Sequence, residues 1–342
     1  RTGMAPKLSA KTTMNSWLEL VTPTTPLAQD FPECAITDLS HLGLIRVSGA
    51  DSRSFLQGQL TNDINAVTPE LAQLSSYCSP KGRMLGSFWI FQRGEDLYIQ
   101  LPVDRLEAIL GRLKMFTLRS QVTLEDASDQ LARLGLAGDC AETLLPFAPG
   151  DAKASLTRDE LTVIRLPGDR PRFELIGPPE LLAGNWSQML NQARQTGAEF
   201  WSLMDIRAGV PNIFEDTVEA FVPQMANLQL IGGVSFTKGC YTGQEVVARM
   251  QYLGKLKRRM YRAHVDSTQA PARGAEVFSP SSESGQGAGR IVDVAASPDG
   301  GYEVLAVIQI SSAGADDLRL VDAEGPALRL LDLPYQFETT ED

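Results

Sequence analysis

Histidine and cysteine are scarce: the 342 residues hold two of the first and four of the second. His41 and His264 stand alone and read as structural side chains rather than ligands or bases. Cys34, Cys78, Cys140 and Cys240 are widely spaced and form no CxxC pair. This pattern predicts no metal site. It also predicts no disulfide framework, and so a reducing, cytoplasmic compartment. No run approaches the roughly 20 apolar residues that a membrane helix needs, and the first thirty residues show no apolar signal core. Lys and Arg, 31 in all, are outnumbered by 42 Asp and Glu, for a net charge of -11. That balance argues against a broad nucleic-acid-coating surface, because phosphate affinity comes from clustered cations. There is no P-loop, no dinucleotide fingerprint and no Ser-His-Asp arrangement. No heptad or repeat pattern calls for association, so a monomer is expected.

What is present is an ordinary globular composition, 43% hydrophobic and 21% charged, long enough for two or three units. Residues 1–30 read as a flexible N-terminal segment around Thr22-Pro23-Thr24-Thr25-Pro26. Residues 31–130 read as a first α+β half: strands near 44–47, 74–79, 84–92, 96–100 and 121–124, and a helix over 103–116. Pro80-Lys81-Gly82 marks a turn. A similar order recurs over 131–254, with strands at 131–136, 161–166 and 172–176 and helices at 140–145 and 179–196. Two such passages predict two ferredoxin-like α+β halves. From 255 to 335, short strands with a turn at Pro298-Asp299-Gly300-Gly301 predict a small C-terminal β-barrel, with 279–287 as a mobile Ser/Gly-rich loop. Trp17, Trp89 and Trp186 carry no motif and read as packing residues.

The chemistry concentrates in Lys238-Gly239-Cys240-Tyr241-Thr242-Gly243-Gln244-Glu245. Thr242 to Glu245 spells a capping box, so a helix is expected just after Thr242 and ending near Gly254. Cys240 would then face free backbone N–H groups and the positive helix end. Lys238, two residues earlier, would share its face in an extended strand. Both effects favour a thiolate. Gly239 and Gly243 permit close approach by a ligand. The plainer reading is a helix start beside a small buried cysteine.

This octapeptide resembles the K-G-C-[FY]-x-G-Q-E signature of the YgfZ family, which is related to the glycine-cleavage aminomethyltransferase. Further blocks match in order: Gly49-Ala50-Asp51-Ser52, then Gln57-Gly58-Gln59-Leu60-Thr61-Asn62-Asp63, then Ile206-Arg207-Ala208-Gly209-Val210-Pro211. The resemblance implies an aminomethyltransferase-like, tetrahydrofolate-binding fold. It implies a role in iron–sulfur cluster assembly or repair that indirectly supports thiomethylation of tRNA, with iron–sulfur enzymes or assembly proteins as partners. Carried over by position, Cys240 and Lys238 are the candidate catalytic residues. Trp201, Gly239, Tyr241, Gly243, Gln244 and Glu245 are the candidate folate-binding residues. Of the family's two folate tryptophans, one falls on Trp201 and the other on Leu42. Related transferases have a pterin-contacting Glu where this chain has Arg207, a donor-only group; Asp205 and Glu215 are the neighbouring carboxylates left to take its place.

Two other functions compete. A true folate-dependent aminomethyltransferase would need the transferase pattern that the octapeptide lacks. An RNA-binding module would use the basic patch over 249–262, part of a stretch from Lys238 to Arg262 in which Lys238, Arg249, Lys255, Lys257, Arg258, Arg259 and Arg262 stand against one acid, Glu245.

Overall fold

The computed structural model describes residues 10–22, 31–281, 287–315 and 317–337. The chain runs α1 (Ala10–Val21), β1 (Cys34–Asp38), β2 (Leu42–Ser48), α2 (Ser52–Gln57), β3 (Gln73–Cys78), β4 (Met84–Arg93), β5 (Asp96–Pro102), α3 (Val103–Lys114) and β6 (Thr123–Asp126). It continues β7 (Ala132–Gly138), α4 (Ala141–Leu144), β8 (Ser155–Arg158), β9 (Leu161–Leu166), β10 (Arg172–Gly177), α5 (Pro179–Met189), β11 (Arg194–Thr196) and α6 (Ala198–Ala208). Last come α7 (Gln244–Tyr252), β12 (Arg258–Val265), β13 (Glu276–Phe278), β14 (Gly289–Ala296), β15 (Tyr302–Gln309), α8 (Ile310–Ala313), β16 (Arg319–Leu320) and β17 (Leu328–Leu331).

The first sheet has the order β3-β4-β5-β2-β6 and is antiparallel throughout. Helix α3 covers it with the apolar stripe that its sequence spacing predicts, burying Leu106, Ile109 and Leu113. The second sheet has the order β11-β1-β7-β10-β9-β8. Here β1, from the segment expected in the first half, crosses into the second sheet between β7 and β11. The halves are therefore interleaved rather than divided at residue 130. The single helix expected over 179–196 ends at Met189, and Arg194–Thr196 is the edge strand β11. The third sheet, β16-β13-β14-β15-β12-β17, is the curled C-terminal half-barrel. A lone bridge between Arg319 and Ala327 draws its two edges together. The loop expected at 279–287 falls largely outside the described residues.

Three further findings depart from the sequence reading. The N-terminal segment is not all loose: α1 buries Met14, Trp17 and Val21. Trp17 meets Trp186 of α5 edge-on at 5.6 Å, and its indole N–H donates to Asp38 at 3.0 Å. Helix α6 sits at the centre of the molecule against β1, β14 and β15. It buries Trp201, Leu203, Met204, Ile206 and Ala208. A helix packed on several sides carries no single apolar stripe, so its sequence lacks the period that reveals surface helices. At its end Arg207 pairs with Glu303 of β15 at 2.6 Å, and Arg262 of β12 pairs with the same carboxylate at 2.8 Å. This clamp fastens α6 to the half-barrel.

The third departure is a disulfide. Cys34 and Cys140 are joined, 106 residues apart in sequence, with a Cα–Cα separation of 5.7 Å. Register explains it: Cys34 pairs with Gly138, and Cys140 follows two residues on. Gly138 has φ +113°, and a Cβ there would lie 1.9 Å from the Glu33 carbonyl, so only glycine lets the strand ends approach this closely. Among the described residues no helix is long and apolar enough to cross a membrane. Of the two remaining cysteines, Cys240 is exposed and Cys78 is buried, its thiol pushed up to about 12 by burial. A thiol reagent is expected to modify one cysteine in the native protein and all four after reduction and unfolding. Two fast native thiols would place Cys78 at the surface, and three or more would mean the disulfide is open.

Candidate functional site

The octapeptide forms a loop that leads into α7 and nests on the first half. Gly243 is the residue before the helix, with φ +83°; a Cβ there would stand 2.4 Å from the Ser79 carbonyl oxygen. Only glycine fits both the conformation and the space. The expected capping box does not form. Gly243 rather than Thr242 caps the helix, and Glu245 instead pairs with Arg249 at 2.6 Å on the exposed face. Gly82, in the turn the sequence predicted, has φ +69° and faces Val246. The turn and the loop thus hold each other.

Lys238 does not serve Cys240. Its ammonium donates to the carbonyls of Gln57 at 2.7 Å, Leu60 at 2.6 Å and Asn62 at 3.1 Å. An ammonium has three donors, and all three are used. It also lies 5.0 Å from the Tyr241 ring centroid. Burial lowers the Lys238 pKa to about 8, opposed by the nearby Asp63 carboxylate. The expectation that Lys238 holds Cys240 as thiolate is thereby corrected: Lys238 ties the loop to residues 57–62. Cys240 itself projects at the surface. Tyr252 and Leu253, at the end of α7, are exposed as well.

The basic stretch is dispersed. Lys238 is buried, Arg259 stacks 4.4 Å from the Phe337 ring, and Arg262 is held by Glu303. Arg249, Lys255 and Lys257 remain exposed.

Trp201 lies elsewhere, in the heart of the fold. It lines a narrow recess with Leu42, Trp89, Gln100, Glu174 and Asp205. The two positions of the family's folate tryptophans, Trp201 and Leu42, therefore meet in one place. Close packing fixes the ring: a Cβ on Gly135 would lie 2.5 Å from it, and the Arg172 guanidinium sits 5.5 Å from its centroid. Arg172 also pairs with Asp205 at 2.8 Å. Asn212 donates to the other oxygen of Asp205 at 3.0 Å. Glu215, the other carboxylate considered, is drawn off by Arg105 and is largely exposed. Arg207 is engaged in its clamp with Glu303. Gly239, Tyr241, Gly243, Gln244 and Glu245 do not line this recess.

The recess adjoins a cavity of about 460 Å³ across Trp89 and the step from Leu166 to Pro167. Leu74, Lys153, Leu230, Gly232 and Tyr335 line this outer chamber. Such a volume lies within the range of small-molecule sites. Lys153 donates to the Ile231 carbonyl at 2.7 Å, and burial lowers its pKa. Sequence reasoning treated Trp89 as packing and missed Glu174, Gln100 and Lys153, none of which belongs to a motif.

These features define the class. Residues 32–161 match the GCVT N-terminal domain family. The glycine cleavage system aminomethyltransferase T of Bartonella henselae superposes with a TM-score of 0.69 at 14% identity, covering 95% of this chain and 89% of that one. The fold is thus that of the aminomethyltransferases, as the sequence predicted. Within that class the chain belongs to the YgfZ family. It is 32% identical to the tRNA-modifying protein YgfZ of Photobacterium profundum, over 91% of this chain and 94% of the relative. It is also 32% identical to the protein of that name from Yersinia enterocolitica, over 90% and 93%.

The loop geometry separates two glycines. Gly243→Ala is expected to destabilise the protein by about 2 kcal/mol, since it forces a left-handed residue against the Ser79 carbonyl. Gly239→Ala, which meets nothing within 4 Å, is expected to be neutral. Chemical denaturation of both variants checks this; equal stabilities would mean that the loop is not nested as described.

Proposed function

We propose that this chain is a monomeric, reduced-folate-binding accessory protein; the Cys34–Cys140 disulfide removes the ground on which a reducing compartment was expected. It supports tRNA modification by assisting the assembly or repair of iron–sulfur enzymes. The observation that carries this reading is the central recess beside Trp201, where two buried acceptor atoms lack partners among the described residues, next to the outer chamber. Glu174 Oε2 and Gln100 Oε1 are both unpartnered. A pterin offers a flat ring and a donor-rich edge, which suits such a lining. The outer chamber of about 460 Å³ would hold the ring and the rest of the molecule, with Trp89 as the wall it shares with the recess. Lys153 at the chamber supplies a cation for the carboxylates of the tail. The folate, when bound, supplies a carrier for a one-carbon unit.

Cys240 is the residue presented to a partner. It stands on a loop fixed by Lys238, Gly243 and the turn at Gly82, at the surface. One thiolate does not hold an iron–sulfur cluster, which takes about four ligands. Contact with a cluster is therefore shared with the partner's own thiolates. The aminomethyltransferase alternative loses ground, because Arg207 occupies the pterin-glutamate position and is committed to Glu303.

Two measurements test the reading. Titration with tetrahydrofolate is expected to quench tryptophan fluorescence saturably, and Trp201→Ala is expected to abolish most of that quenching. Absence of binding by the wild type would refute the folate assignment. In a strain lacking the protein, Cys240→Ala is expected to leave thiomethylated tRNA and iron–sulfur enzyme activity low; full restoration by the variant would remove Cys240 from the mechanism.

A further inference from the structure

The end of α7 carries two large side chains that the fold leaves uncovered: Tyr252 is 67% exposed and Leu253 85%. Both are held in place. The N–H groups of Leu253 and Gly254 donate to the Arg249 carbonyl, each at 2.9 Å, and so close the helix. The Tyr252 ring meets Phe236 edge-on at 6.1 Å. Phe236 lies two residues before Lys238, so the end of α7 abuts the segment that leads into the Cys240 loop.

Positive charge frames this pair. Between Glu245 and Asp266 the chain has six Lys and Arg and no Asp or Glu, in a protein of net charge -11. Arg259 and Arg262 are engaged by Phe337 and Glu303, whereas Arg249, Lys255 and Lys257 are exposed. Arg249 pairs with Glu245 at 2.6 Å. No carboxylate holds Lys255 or Lys257 among the described residues.

An aromatic and an aliphatic side chain at the centre, with cations at the rim, is the make-up of a protein–protein contact. Two unpaired ammonium groups are few for a nucleic acid, whose binding engages about six to ten phosphates, and Leu253 offers a phosphate nothing. From these observations we infer that Tyr252 and Leu253, framed by Arg249, Lys255 and Lys257, are the docking face for a partner protein that meets them with an apolar hollow rimmed by Asp and Glu. An acidic partner is repelled by the net charge of this chain and drawn to this face, so charge sets the orientation of approach. Helix α7 has nine residues and is about 14 Å long. Cys240 stands three residues before its cap, Gly243, so Cys240 and Tyr252 are at most about 25 Å apart. An interface of standard size, about 800 Å² per partner and so about 30 Å across, spans that distance. The inference rests on the partner reading above and deepens it by naming the surface that brings the partner to Cys240.

The test places the photo-crosslinking amino acid p-benzoylphenylalanine at Leu253 of the full chain or, as an exposed control, at Leu190 after α5, in cells that lack the native protein. Position 253 is expected to give a protein adduct that position 190 does not. Lys255→Glu combined with Lys257→Glu is expected to lower its yield by on the order of tenfold, because like charges then face each other. The same double variant is expected to lower thiomethylated tRNA while thermal unfolding stays that of the wild type. Wild type that restores thiomethylated tRNA while position 253 gives no adduct, or one that the charge reversal leaves unchanged, overturns the docking face and leaves the iron–sulfur reading standing. An adduct that ribonuclease removes overturns it in favour of RNA. Failure of the wild type to restore thiomethylated tRNA overturns the iron–sulfur reading, and a charge-dependent protein adduct at position 253 then still supports the face.

Discussion

The buried ion pair between Arg172 and Asp205, 2.8 Å apart, is the contact on which the centre of this molecule depends. It joins β10 of the second sheet to α6, the helix that also meets the half-barrel. Arg172 is 1% exposed, donates to the Pro167 carbonyl at 2.7 Å and lies over Trp201. One guanidinium thus sets the helix, the tryptophan and the wall of the outer chamber. A buried pair of this kind adds little net stability against an apolar replacement, yet losing one partner costs about 3–5 kcal/mol. Its effect is to fix position. By committing Arg172 to Asp205, it also leaves Glu174, two residues along the same strand, with a neutral glutamine as its hydrogen-bond partner. The recess owes its polarity to that asymmetry.

The two regions singled out by function are apart in the fold but mechanically connected. Lys238 holds the Asn62 carbonyl, and the Asn62 side chain donates to the carbonyls of Leu74 and Gly232, each at 2.8 Å. Leu74 and Gly232 line the outer chamber. The signature octapeptide therefore does two things: it builds one side of the chamber through Lys238 and Asn62, and it presents Cys240 outside. A lysine with all donors on backbone carbonyls is a positioning group, which accounts for its place in the motif without any proton transfer at the cysteine.

Legibility divided along physical lines. A surface-facing helix with a clean period, α3, was readable because one face is apolar; β3, β4 and β5 are buried along most of their length and were readable as short runs bounded by turn signals. The central helix α6 was not, because burial on several sides erases the stripe. The crossing of β1 into the second sheet and the Cys34–Cys140 link depend on register, which no local pattern states. At the site, Trp201, Leu42 and Cys240 were found through motif resemblance. Glu174 was not, because Arg172-Phe173-Glu174-Leu175 reads as ordinary alternation with a solvated polar face. That face is covered by α6 at Arg172 and by Gln100 of β5 at Glu174, so both charges are buried.

The most direct test of the account is a crystal structure with 5-formyltetrahydrofolate bound. The account predicts electron density for the ligand in the outer chamber beside Trp89 and Lys153, with Cys240 untouched at the surface. Density for the ligand against the octapeptide loop, with the outer chamber empty, would contradict it.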